Sequence, residues 1–288
     1  MNSIKFFSNY TDSSSLLRRF LNNYIIDDNL INFTLNDDYD YAVVFNSTSE
    51  TLKIGSKIIT IIQEPTFSDA HDYFYLTNSD YLLIHDANLF ERFYGIKLGV
   101  NIIETPSYMF YDDKLPYQFF MDKVIPGKDK KLSIIVSSLY FDFGNYRKRI
   151  ALLERILSSD LEIDIYGRGL NIEDSRYKGS LEFKHTGLIP YEYSIAIENS
   201  NEKNYVSEKF IDCVLCDTTP IYYGAPNADE IYDTRYFRHL DLNSETVIED
   251  IRKIVATPAP GAGPNKDIYF RQFNLYTKIK EIVLGGKK

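Results

Sequence analysis

Tryptophan is missing altogether from this chain of 288 residues, and cysteine occurs only twice. Cys213 and Cys216 stand in a C-x-x-C spacing, but neither a second ligand pair nor a thioredoxin-like setting accompanies them. They read as small apolar filler, compatible with a reducing compartment. Basic charge is also scarce: 32 Lys and Arg stand against 41 Asp and Glu, a formal net charge of −9. A surface without a basic excess does not neutralise a phosphate backbone, so nucleic acid is not an expected partner. No apolar run approaches the length of a membrane span, and the opening MNSIKFFSNYTDSS lacks the apolar core of a signal peptide. No transmembrane segment is therefore expected.

What is present is the composition of a globular protein, 44% hydrophobic and 25% charged, with aromatics supplied by 24 Tyr and 19 Phe. The length suffices for one large or two ordinary domains. Apolar runs at 4–7, 30–35, 41–45, 57–62 and 81–85 read as strands of an α/β unit, with a helix over 13–24 capped from Ser13–Ser15. Gln63-Glu64-Pro65 ends the strand KIITII. A carboxylate held at a strand exit is a position for a general base, or equally an ordinary turn carboxylate. His85 ends the strand YLLIH, where a hydrogen-bonded structural role is the commoner one. Asp38-x-Asp40 is the only D-x-D in the chain and lies in a polar turn.

Residues 122–130 (DKVIPGKDK) form the best linker by composition. Beyond them strand 132–136, helix 146–157 and strand 162–166 give the βαβ signature of a parallel sheet. Arg147, Lys148 and Arg149 crowd the first turn of that helix, where cations oppose the helix dipole and call for a negative partner. A strand over 236–240, a helix over 244–255, a Pro/Gly linker over 257–264 and one last helix over 266–284 complete the chain. The expected division is 1–128, 129–264 and a C-terminal helix, 265–288, that crosses back to the first domain.

The most informative stretch is Tyr193–Gly224, YSIAIENSNEKNYVSEKFIDCVLCDTTPIYYG. It reads as a buried strand over 193–197, a polar turn, an amphipathic helix over 205–216 and a second strand over 220–223. Phe210, Ile211, Val214 and Leu215 share one helical face. Glu198, Asn199, Tyr205, Glu208 and Lys209 then gather beyond a strand's carboxyl end and beside a helix start, where parallel α/β sheets receive anionic ligands.

ENS, four residues, YVSEK and then PIYYGAP resemble the donor-binding motif of the α1,3-fucosyltransferases, with several fixed spacings across some thirty residues. The resemblance implies a GT-B fold, two Rossmann-like α/β domains facing across a cleft. It implies transfer of L-fucose from GDP-fucose to a glycan hydroxyl with inversion. It assigns donor binding to Asn199, Tyr205, Glu208 and Lys209, and to Arg147 for the diphosphate, with Arg149 as the alternative. Glu64 matches the family's base, although here Pro65 follows the glutamate at once rather than two residues on. No metal and no cofactor are implied. Animal members carry an N-terminal anchor, so the resemblance further implies a cytoplasmic bacterial or viral member. Another nucleotide-sugar donor, or a non-catalytic glycan- or nucleotide-binding module, is the alternative reading. The oligomeric state is not legible.

Overall fold

The computed structural model describes residues 1–99, 101–111, 115–122 and 127–285. The linker read at 122–130 thus lies partly outside the described residues. The chain divides into two compact units. Met1–Asp113, Glu202–Tyr205 and Tyr269–Lys288 make unit 1; Lys114–Asn201 and Val206–Ile268 make unit 2. Borders drawn from composition, 128/129 and 264/265, differ from this division because composition is local in sequence whereas compactness is a property of space.

In unit 1, β1 (Ser3–Ser8), β2 (Asn32–Phe33), β3 (Tyr41–Phe45), β4 (Lys57–Ile61), β5 (Tyr81–Ile84) and β6 (Ile102–Glu104) form one sheet in the order β2-β1-β3-β4-β5-β6. Every neighbouring pair is parallel. All five residues of β3 are buried, as a strand covered on both faces requires. The strand expected over 30–35 shrinks to Asn32–Phe33, and Leu30 and Leu35 remain exposed. The first helix, Ser13–Asn23, is capped by Asp12 rather than by the serines, with the Asp12 carboxylate accepting the Ser15 N–H at 2.9 Å.

The last helix is not continuous. A short turn, Asn265–Asp267, leads into a π-helical stretch, Ile268–Gln272, and a separate helix then runs over Leu275–Val283. Asn274 makes the break: its Oδ1 accepts the Thr277 N–H at 3.1 Å, and its Nδ2 donates to Phe270 O and Ile25 O at 3.0 Å. An asparagine side chain that bonds backbone on both sides offers an alternative to the helical ladder. Lys280 reaches Asp28 at 2.6 Å and Asp27 at 3.0 Å, which holds this helix within unit 1.

In unit 2, β7 (Lys130–Ile135), β8 (Asp164–Tyr166), β9 (Tyr191–Ile197), β10 (Thr219–Tyr223) and β11 (Arg238–His239) form a second sheet in the order β11-β10-β9-β7-β8. It too is parallel throughout. Its core joins Ile134, Ile165, Tyr193 and Ile221 of the strands to Leu152 and Ile156 of helix Tyr146–Leu157 and to Ile251 of helix Val247–Val255. In both units the second strand lies outside the first and the third on its other side. The direction of the winding therefore reverses between β1 and β3, and between β7 and β9, and such reversals open a crevice at the carboxyl ends.

At the carboxyl end of unit 2, glycine lets two loops touch. A Cβ on Gly167 would lie 1.6 Å from the Val136 carbonyl oxygen. Gly167→Ala is expected to cost about 1–3 kcal/mol through overpacking, read from the shift in urea midpoint. An unchanged midpoint would show that the loops do not make this contact.

Candidate functional site

A cavity of about 550 Å³ opens where the winding of unit 2 reverses. Its walls are the loop after β7 (Val136–Leu139), the turn Gly167–Gly169 after β8, the carboxyl half of β9 and the start of helix Glu208–Leu215. Gly169 has φ +70, and a Cβ there would meet Ser138 Oγ at 2.3 Å, so the two loops close on each other only over glycine. The Ser138 N–H donates to Arg168 O at 3.0 Å across this contact. Four cations line the cavity, Arg149, Arg168, Lys184 and Lys209, against two carboxylates, Glu208 and Asp212. Positive charge is thus concentrated in one crevice of an acidic chain, which suits a ligand carrying two negative charges.

Ser207 sets the start of the helix. Its Oγ accepts the Lys209 N–H at 3.3 Å, so the helix begins at Glu208 and not at Tyr205 as the hydrophobic pattern suggests. The same residue donates to Glu198, from its N–H at 2.7 Å and from its hydroxyl. Glu198 has no solvent exposure, and burial pushes its carboxyl up to about 7, with Lys209 at 3.9 Å pulling partly the other way. Gly224 leaves room for it: a Cβ at 224 would lie 2.4 Å from Glu198 Cγ.

Around the cavity floor the charges hold one another. Burial works against the Lys209 ammonium, yet Glu208 at 3.2 Å and Glu198 outweigh it and raise its pKa. Burial likewise opposes the Glu208 carboxylate, but Lys209 and Lys184 hold it far below the usual carboxylate range. Lys184 lies 3.5 Å from Glu208 and 3.1 Å from Asp212, and those carboxylates outweigh its burial and raise its pKa. Both lysines stay cationic at neutral pH.

The residues singled out from sequence fare differently. Glu208 and Lys209 line the cavity. Arg147 does not; it is exposed and paired with Asp142 at 2.6 Å. Arg149, two residues on, is buried and lines the cavity. Its guanidinium lies 4.9 Å from the Tyr146 ring, donates to Leu139 O at 3.2 Å and to Asn199 Oδ1 at 3.4 Å, and leaves Nε buried without a hydrogen-bond partner among the described residues. Asn199 therefore orients Arg149 instead of facing the cavity itself. Tyr205 belongs to unit 1, where its buried ring lies 5.3 Å from that of His85. Glu64 also lies in unit 1, half-buried after β4, its N–H bonded to Asn46 Oδ1 at 3.3 Å. Lys184, Arg168 and Asp212 escaped the sequence reading. Only Asp212 left a signal there, four residues after Glu208 on the same helical face.

Two other sequence features resolve as structure. Asp38 pairs with Lys53 at 2.6 Å, and Asp40 accepts from Ser3 at 2.8 Å, so the D-x-D carboxylates tie down a turn. Cys213 and Cys216 are free and buried, and burial pushes the Cys213 thiol up to about 12. Among the described residues no cluster of three His, Cys, Asp or Glu is arranged to hold a metal ion. Among them, too, no helix is long and apolar enough to cross a membrane.

Two parallel α/β sheets, each reversing its winding, give this chain a fold of the GT-B type. A crystal structure of an α1,3-fucosyltransferase aligns over 88% of this chain and 77% of its own, with a TM-score of 0.53 at 17% identity. A crystal structure of an α1,3-fucosyltransferase with GDP-fucose aligns over 88% of this chain and 78% of its own, with a TM-score of 0.51 at 16% identity. Residues 125–246 match the model of the glycosyltransferase family 10 (fucosyltransferase) C-terminal domain. A fucosyltransferase-like protein of Arabidopsis thaliana is 27% identical over 56% of this chain and 31% of its own. The α-(1,3)-fucosyltransferase fut-5 of Caenorhabditis elegans is 32% identical over 33% of this chain and 28% of its own. The matched regions thus span about a third of the length of these relatives.

Glu198 makes the site's stability depend on pH. A carboxyl whose pKa is raised on folding contributes stability that is full below its unfolded value and is lost as pH rises through about 7. Glu198→Gln cannot ionise, so the fall in thermal unfolding temperature between pH 5 and pH 8 should be shallower than in the wild type. Identical pH profiles would rule out the buried, proton-holding carboxyl.

Proposed function

We propose that this chain transfers L-fucose from GDP-fucose to a hydroxyl of a glycan, forming an α1,3-type linkage with inversion at the anomeric carbon. One observation carries the reading: Lys209, Lys184 and Arg149 converge on a single cavity inside the family 10 segment. The names of the relatives, and the GDP-fucose in one aligned structure, support the choice of donor.

Inversion by direct displacement needs stabilisation of the departing diphosphate on one side and a proton acceptor on the other. In this reading Lys209 and Arg149 bind the diphosphate, and Lys184 adds charge through Glu208. Side-chain cations, held in place by their carboxylate and carbonyl partners, take the role a divalent ion plays elsewhere. Glu208 accepts hydrogen bonds from sugar or ribose hydroxyls. Asn199 acts through Arg149, and Arg147 has no part in donor binding. Glu64, in unit 1, accepts the proton from the attacking hydroxyl.

Release of GDP from GDP-fucose in the presence of a glycan array tests the activity. Lys209→Ala should lower turnover by ~10²–10³, the usual loss for one preorganised charge stabiliser. Near wild-type turnover of this variant would exclude the assignment. Arg149→Lys should weaken GDP binding about 10–100-fold, the worth of a charge-assisted hydrogen bond lost at a bidentate site, whereas Arg147→Ala should bind GDP as the wild type does. Calorimetric titration with GDP distinguishes the two arginines, and the reverse pattern would return the role to Arg147.

A further inference from the structure

The turn Gln63–Thr66 that presents Glu64 is held almost entirely by side chains of unit 1. Asn46, with φ +60, turns its Oδ1 to accept the N–H groups of Gln63 at 2.8 Å and Glu64 at 3.3 Å. The Gln63 amide donates to Tyr108 O at 2.7 Å, and His71 Nε2 meets Pro65 O at 2.9 Å. The Tyr94 hydroxyl donates to Thr66 O at 2.8 Å. Glu202, also of unit 1, holds the turn at its other end. Its carboxylate accepts the Thr66 N–H at 3.0 and 3.1 Å, the Thr66 hydroxyl at 2.7 Å and His85 Nε2–H at 2.6 Å.

Glu202 stands in the middle of the ENS…YVSEK motif, in the stretch Glu202–Tyr205 that belongs to unit 1. It is 7% exposed. Burial works to raise its pKa, but the hydrogen bonds from His85 and Thr66 outweigh burial and hold it below the ordinary value, so it is an anion at neutral pH. His85 is fully buried between the rings of Phe90 and Tyr205, and its Nδ1 has no hydrogen-bond partner among the described residues. Asn204, with φ +61, fixes the same stretch by donating to His85 O at 2.8 Å.

A buried pair that merely stabilised unit 1 had no need to end on Thr66. Both the N–H and the hydroxyl of Thr66 donate to Glu202, and Thr66 is separated from Glu64 only by a proline whose φ is fixed. The geometry points to Glu202 as a positioning residue for Glu64: through Thr66 it fixes the direction in which the proton-accepting carboxylate is presented. This rests on the reading of Glu64 as the base.

The test is a double-mutant cycle on the full chain, with transfer from radiolabelled GDP-fucose as the readout and thermal unfolding as the check of folding. Glu202→Ala should lower kcat by ~10²-fold, the effect of a remote change that misplaces a reacting group by about 1 Å, while the KM for GDP-fucose stays within about threefold. Glu202→Gln, which keeps an acceptor for Thr66, should recover most of that loss. Glu64→Gln/Glu202→Ala should transfer no more slowly than Glu64→Gln alone, because the first change removes what the second positions. Thr66→Val, a milder change that keeps the N–H, should lower kcat in the same direction should the alanine variant fail to fold. If the double variant loses the full additional factor, or if KM rises with kcat unchanged, Glu202 does not act through Glu64 and the inference fails. Full activity of Glu64→Gln would instead overturn the base assignment, a separate result.

Discussion

A carboxylate with no exposure to solvent, Glu198, bonded twice to Ser207, is the constraint on which the cavity of unit 2 depends. Those two bonds close a loop of eight residues, and the closure decides where the next helix can start. Because the helix starts at Glu208, its first two side chains stand at the cavity, and the apolar residues that follow fall on the sheet. Burying an ionisable group is costly unless its partners are fixed. Here the partners are the cap of the helix and Lys209, so the arrangement that accommodates Glu198 is the one that presents the lysine. Gly224 allows this by leaving no Cβ in the way.

The lysines and carboxylates beside it form an alternating chain, Asp212–Lys184–Glu208–Lys209. Such buried networks contribute little net stability, since desolvation offsets most of the attraction. Their effect is on reorganisation. Under the proposed reading, a diphosphate entering this cavity would meet cations already held in place by carboxylates, so little of its binding energy would be lost to ordering them. The chain as a whole carries a formal net charge of −9, so the four cations lining the crevice are a local concentration of positive charge.

How far this was legible in the sequence differs residue by residue. The apolar period of Phe210, Ile211, Val214 and Leu215 announced a packed face, and all four are buried. Helix Tyr146–Leu157 ends where its pattern ends. Glu208 and Lys209 were found because the motif has fixed spacings. Nearness to the helix start favours Arg147, yet Arg149, Leu152, Leu153 and Ile156 recur at helical spacing, and that stripe marks the arginine that turns inward. The hydrophobic pattern extends the helix back to Tyr205, whereas the Ser207 cap starts it at Glu208. Lys184 sits on a single 3₁₀ turn, which has no period to read, and it reaches the cavity only through the fold. Glu202 looks like any charge in a polar turn. Its partner His85 is 117 residues away, and no local rule joins them.

Asn46 does more than shape a turn, because Asn46-Ser47-Thr48 is also an acceptor sequence for N-linked glycosylation. The side chain is 2% exposed and its oxygen already serves two backbone donors. An oligosaccharide attached to the nascent chain at this amide has no space in the folded unit, and the turn bearing Glu64 would not close over it. Recombinant production therefore belongs in hosts or compartments without that modification. Secretion from a eukaryotic cell would call for a substitution at Thr48 that abolishes the sequon while sparing the asparagine.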